Sequence, residues 1–140
     1  MIGETLQLGS WLDITRLSLH VLAASIWVGG QLVLAGLIPT VRDFGEGATQ
    51  KVARVFGRLS WPAFWVLIAT GVWNYLAVAH GSVAASWMVV FSIKMICVVV
   101  SGFGAYRHTK AATPSARGMY AGISALGSIL ALVLGVALAG

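Results

Sequence analysis

The stretch at residues 17–38, LSLHVLAASIWVGGQLVLAGLI, is a continuous apolar run of helix length. A helix needs about 20 apolar residues to cross the roughly 30 Å hydrocarbon core of a bilayer. Three further runs of that length follow, at residues 59–79, 86–105 and 119–139. None alternates apolar and polar residues with the period of two that a membrane barrel strand requires. The sequence therefore predicts an all-α, antiparallel four-transmembrane-helix bundle, with residues 1–140 as a single membrane domain.

The composition also indicates a chain that lies in a lipid bilayer. Hydrophobic residues make up 59% of it and charged residues only 9%, whereas about a quarter of a soluble domain is charged. The spans leave no room for a soluble catalytic domain, and no phosphate-binding glycine loop, CxxC pair or HExxH motif is present. Two prolines are predicted to mark span ends: Pro39 to close the first span and Pro62 to lie in the first turn of the second. Residues 48–57 are predicted to form a separate short surface helix.

Basic residues are concentrated in two of the predicted loops, at residues 40–58 and 106–118. The loop at 80–85 and the C-terminus contain no lysine or arginine, and Arg16, at the outer edge of the first span, is the exception. By the positive-inside rule, both basic loops are predicted to be cytoplasmic and both termini to lie outside. The net charge of +5 is explained by this orientation, so no nucleic-acid partner is predicted.

Polar residues inside the spans follow helical spacing. His20, Trp27 and Gln31 in the first span are separated by seven and four residues, which predicts one common helix face. Thr70 and Asn74 are four apart in the second span.

The positions of the polar residues along their spans predict that several of them lie in the same half of the bundle. In the third span, Lys94 is the one ionisable group well inside the hydrocarbon. At a rise of 1.5 Å per residue, His20, Asn74 and Lys94 lie about 6, 7 and 12 Å from the outer ends of their spans. All three are thus predicted to share the outer half of the bundle, with His80 just above them in the outer loop.

An ionisable residue inside a membrane span is expensive, so it is a functional-site hypothesis. Lys94 has no acidic residue in the spans to neutralise it, which predicts that it pairs with a bound anion or acts as a catalytic proton donor or acceptor. His20 and His80 are the predicted metal ligands. The predicted cofactor-binding residues are His20, Trp27, Gln31, Asn74 and Lys94. The alternatives are a hydrogen-bonded interface histidine and a snorkelling lysine. Cys97, Met88 and Met95 are predicted to pack in the core.

The fourth span carries a small residue at every fourth position: Gly127, Ala131, Gly135 and Ala139. Small residues at this spacing let helix backbones approach closely. The ladder predicts either tight packing within the bundle or a homo-oligomer that forms through the fourth span.

Several short motifs together resemble a known superfamily. The segment HVLAASIWVGG at residues 20–30 looks like the first helix of copper-resistance protein D (CopD) domains and is similar to that of HemJ-type protoporphyrinogen oxidases. Further matching motifs occur in the same order and spacing: Arg58-Leu59, Pro62-Ala63, Thr70-Gly71, Trp87 seven residues before Lys94, and Tyr106-Arg107-His108. The resemblance covers about residues 16–107.

The resemblance implies a bacterial cytoplasmic (inner) membrane protein. The CopD likeness implies copper uptake or tolerance, and copper handling is the first functional hypothesis. The HemJ likeness maps His20 and Lys94 onto a histidine and a lysine implicated in binding or oxidising haem b or a porphyrin, which is the alternative. A non-catalytic membrane scaffold is the third hypothesis. The residues do not decide whether the protein is an enzyme.

Overall fold

The computed structural model describes residues 8–78 and 81–139. It contains four helices: α1 (Trp11–Arg42), α2 (Ala48–Val78), α3 (Ala85–Lys110) and α4 (Pro114–Ala139). Each is long and apolar enough to cross a membrane, which confirms the predicted all-α fold with four spans. The helices alternate in direction. We call the end at which α1 and α3 begin the upper end, and the end at which they stop the lower end.

The helices are longer than the apolar runs that predicted them. Helix α1 begins at Trp11 because the Ser10 hydroxyl accepts a hydrogen bond from the Asp13 amide at 3.2 Å and caps the first turn. The predictions for the two prolines were wrong, since Pro39 and Pro62 both lie inside helices. A membrane-spanning helix tolerates proline where neighbouring groups satisfy the carbonyl that it frees. The predicted surface helix at residues 48–57 is the first part of α2.

The bundle is built from two antiparallel pairs, α1 with α2 and α3 with α4. In the second pair, the backbones of α3 and α4 are in close contact. A Cβ atom placed on Gly104 of α3 would lie 2.8 Å from the Ser124 amide nitrogen, and one on Gly127 of α4 would lie 3.0 Å from the Cys97 carbonyl oxygen. The small-residue ladder of α4 therefore packs against α3 of the same chain, as the first of the two alternatives predicted.

Trp27 joins the two pairs at the centre of the bundle, where it is 3% exposed. Its ring centroid lies 4.4 Å from that of Phe64 on α2, and its indole Nε1 donates a hydrogen bond to Ser101 Oγ of α3 at 3.0 Å. The Ser101 hydroxyl in turn donates to the Ser124 carbonyl of α4 at 2.9 Å. A buried indole N–H needs an acceptor in apolar surroundings, so this chain of bonds fixes how the pairs dock.

Trp27 also lies in a local irregularity of α1. Residues Ser25–Gly29 form a π-helical segment within the otherwise α-helical span. Such segments are rare, and they are found frequently at functional sites. The extra residue in the turn interrupts the regular spacing that predicted one common face for His20, Trp27 and Gln31.

Candidate functional site

His20 lies on α1 near the upper end and contacts α2. Its Nδ1 is 2.8 Å from the Thr70 hydroxyl, whose own proton is donated to the Val66 carbonyl at 2.7 Å. With that proton donated to Val66, the Thr70 oxygen is an acceptor for the His20 tautomer that carries its hydrogen on Nδ1. The neutral imidazole then keeps a lone pair on Nε2. A ring held in this way is typical of a histidine that binds a metal through its second nitrogen.

Lys94 lies on α3, half-buried, with its amine beside α4. A Cβ atom placed on Gly135 would be 3.0 Å from Lys94 Nζ, so a larger residue there would displace the amine. Of the acidic residues in the described part of the chain, Asp13 lies in the first turn of α1, and Asp43 and Glu46 lie in the loop at the lower end. None of them is at the depth of Lys94.

The two groups lie at one level. The hydrogen bond between Trp27 and Ser101 fixes the register of α1 against α3, and these two helices run in the same direction. His20 precedes Trp27 by seven residues, and Lys94 precedes Ser101 by seven residues. Each group therefore lies about 10 Å above the shared bond, at 1.5 Å per residue.

Arg16 is a further candidate for the site and was not among the predicted residues. It is only 8% exposed. Its Nη2 donates to the Asp13 carboxylate at 2.7 Å, and its Nη1 donates to the main-chain carbonyl of Asn74 at 3.5 Å. Its position four residues before His20, on the same face of α1, is the signal that could have revealed it. The site thus has a second buried cation, one helical turn above His20.

Asn74, whose main-chain carbonyl accepts from Arg16, has an unusual side-chain acceptor. Its side-chain Oδ1 is buried and has no hydrogen-bond partner among the described residues. An unsatisfied buried acceptor is unfavourable by about 1–3 kcal/mol, and such atoms are rare in folded proteins. The atom is therefore suited to accept a hydrogen bond from a ligand.

Aromatic rings connect three helices at the upper end. Tyr75 of α2 and Phe91 of α3 stack with centroids 4.7 Å apart, and Phe91 stacks on Trp87 at 5.4 Å. The Trp87 indole donates to the Leu138 carbonyl near the end of α4 at 3.3 Å. Phe91 lies about one helical turn before Lys94, so this aromatic stack is at the same end of the bundle as the amine.

Other predicted site residues lie elsewhere. Trp27 belongs to the central packing, and the Gln31 amide donates to the Trp27 carbonyl at 2.9 Å, deeper in the bundle than His20. His80 lies outside the described residues. His108, which was not among the predicted site residues, is at the lower end, where its Nδ1 is 2.9 Å from the Arg117 carbonyl. Of the predicted site residues that the structure describes, His20, Asn74 and Lys94 are therefore the ones in the upper half.

The described residues contain no group of three or more His, Cys, Asp or Glu side chains that could hold a metal ion. Met95 and Cys97 pack against the buried core, as predicted, and Met88 is partly exposed. The described part of the chain thus supplies copper with a single imidazole at the upper end.

Comparison with known proteins gave no match, since no family model, curated protein or solved structure is significantly similar to this chain. The likeness to CopD and HemJ-type proteins accordingly stays a resemblance carried by short motifs. What is shown is a chain with four helices of membrane-spanning character.

Proposed function

We propose that this chain is a multi-pass membrane protein that binds a haem or porphyrin at the upper end of the bundle. The observation that supports this is the pairing of His20 and Lys94 at one level, on different helices. Among the described residues, no hydrogen bond engages the imidazole Nε2, and no carboxylate lies at the depth of the amine.

The residues at this end fit such a ligand by their chemistry. His20 would hold the iron of a haem, with Thr70 keeping the ring oriented, and Lys94 would pair with a ligand carboxylate. The flat stack that includes Phe91 suits a planar macrocycle. The Asn74 Oδ1 atom would accept a hydrogen bond from an N–H or O–H group. A bound haem supplies one-electron chemistry that side chains lack.

Lys94 has two roles under this proposal. In a haem-binding protein, its positive charge neutralises a carboxylate that would otherwise be costly to bury. In an enzyme that oxidises a porphyrin, its amine would also accept or donate a proton at Nζ. The second role agrees with the HemJ resemblance.

Copper handling is the second candidate, favoured by the CopD resemblance and by the His20 Nε2, which forms no hydrogen bond within the described residues. Imidazole is a suitable copper ligand. His80 would supply a further imidazole from the adjoining loop. A membrane scaffold is the third candidate and requires no ligand.

The proposed site also has a proposed location. The charge distribution favours cytoplasmic positions for the loops around residues 43–47 and 111–113. The upper end, with His20 and Lys94, would then lie near the outer face of a bacterial cytoplasmic membrane.

Visible absorption of the detergent-purified protein, before and after haem is added, tests the proposal. Wild type is expected to give a Soret band, which His20→Ala should lose and His108→Ala, a histidine variant at the opposite end, should retain. Wild type that stays without a Soret band after haem addition would refute haem binding.

Elemental analysis of the same samples distinguishes copper. Copper present in wild type and missing from His20→Ala would favour the second candidate. If His20→Ala and Lys94→Ala both fold and fully complement a deletion strain, the scaffold hypothesis is preferred over both ligands.

A further inference from the structure

An apolar groove of about 490 Å³ lies between α2 and α3, away from the His20 site. Its two walls are lined mainly by Trp61, Trp65 and Ile68 on α2 and by Val99, Phe103 and Tyr106 on α3. This volume falls within the roughly 300–1,000 Å³ of small-molecule sites, so the groove is large enough to hold an organic chain.

At the lower end, each wall of the groove is followed by a basic residue on the same helix. On α2, Arg58 precedes Trp61 by three residues, and on α3, Lys110 follows Tyr106 by four residues. These spacings place each cation on the same helix face as its wall. Both side chains are exposed, and within the described residues neither forms a salt bridge.

The two cations also lie at similar heights. Phe64 and Gly102 mark one common level, because a Cβ atom on Gly102 would be 2.7 Å from the Phe64 ring. Arg58 is six residues below Phe64 and Lys110 is eight below Gly102, which corresponds to about 9 and 12 Å along their helices. The two cations thus differ by only about 3 Å in height.

We propose that this groove binds an anionic phospholipid, with an acyl chain between the aromatic walls and the phosphate against Arg58 and Lys110. Charge complementarity selects this occupant. An apolar groove accepts any acyl chain, but two unpaired cations at headgroup height favour a lipid with net negative charge. The inference is independent of the haem or copper proposals.

Tryptophan quenching in vesicles tests the proposal, because Trp65 lies in the groove and is largely exposed. The full-length protein is reconstituted in phosphatidylcholine vesicles of two kinds. In one kind the brominated lipid is phosphatidylglycerol, and in the other it is phosphatidylcholine. The quenching assigned to the groove is the component that Trp65→Phe removes. Wild type is expected to show stronger quenching of that component by the anionic lipid.

The charge variant tests the headgroup contacts. Each basic residue near an anionic headgroup strengthens its binding by about fivefold, so Arg58→Gln with Lys110→Gln should lower the preference for phosphatidylglycerol by about 25-fold. The matched control, Arg42→Gln with Lys51→Gln, removes the same charge from the same end and should retain the preference. Equal losses in both double variants would overturn the proposal.

A filling variant tests the groove itself. Val99→Phe should reduce quenching of the groove component by both brominated lipids, whereas Val100→Phe, whose side chain does not line the groove, should leave it unchanged. If neither brominated lipid quenches the wild-type component, a second copy or another protein covers the groove and the proposal fails.

Discussion

Replacement of Ser101 by alanine is expected to destabilise the bundle more than the loss of one hydroxyl suggests. Ser101 is 1% exposed, accepts a hydrogen bond from the Trp27 indole at 3.0 Å, and donates one to the Ser124 carbonyl at 2.9 Å. Alanine makes neither bond. The indole N–H is then left without an acceptor in a region that excludes water.

The magnitude follows from these two bonds. Hydrogen bonds between membrane helices contribute about 0.6 kcal/mol on average, and a buried donor without a partner is unfavourable by about 1–3 kcal/mol. We expect Ser101→Ala to lower the free energy of unfolding by about 1–3 kcal/mol, which changes the unfolding equilibrium by roughly 5- to 150-fold. In a Trp27→Phe background the indole donor is already absent, so the same substitution should have a smaller effect.

Equilibrium unfolding by sodium dodecyl sulfate in mixed micelles, followed by circular dichroism, measures this difference. Ser92→Ala is the matched control, because the exposed Ser92 hydroxyl bonds only to the Met88 carbonyl of its own helix at 2.8 Å. Its expected effect is below about 0.5 kcal/mol. The role of the central hydrogen bonds would be refuted if Ser101→Ala were as stable as Ser92→Ala. It would also be refuted if Ser101→Ala lowered stability equally with and without the Trp27 indole.

Further predictions concern packing and the site. Gly104→Ala should lower stability by about 1–3 kcal/mol, because its Cβ meets backbone atoms that cannot move aside. Gly122→Ala, with nothing within 4 Å of its Cβ, should unfold like wild type in the same assay. Thr70→Val should weaken haem binding about 10- to 100-fold in a Soret titration by releasing His20; unchanged affinity would contradict the proposed orientation. Lys94→Gln should keep a Soret band and bind haem more weakly; complete loss of the band would contradict a purely carboxylate-pairing role.

Hydropathy was sufficient to predict the four helices, because span length and the absence of period-two alternation leave one class of membrane fold. It was not sufficient for the helix ends. Pro39 and Pro62 disrupt one backbone bond each, and whether a helix continues past them depends on neighbours that the local sequence does not specify. The π-helical segment at Ser25–Gly29 likewise depends on how Trp27 packs against the other helices.

The site could be predicted in part. Counting residues from the span ends placed His20 and Lys94 in the same half of the bundle, since helical rise is constant. The burial of Arg16 could not be read from its position near the membrane edge, because it results from contact with Asn74 on another helix. The tautomer of His20 depends on which acceptor receives the Thr70 proton, and the local sequence does not specify that acceptor.

Haem affinity with and without free carboxylates tests most directly whether His20 and Lys94 act on one ligand. Soret titrations of wild type and Lys94→Gln would compare haem with its dimethyl ester. A charge-assisted hydrogen bond contributes about 1.5–3 kcal/mol, so wild type should prefer free haem by at least about tenfold, and Lys94→Gln should bind both forms equally. An identical preference in the two proteins would contradict a shared ligand.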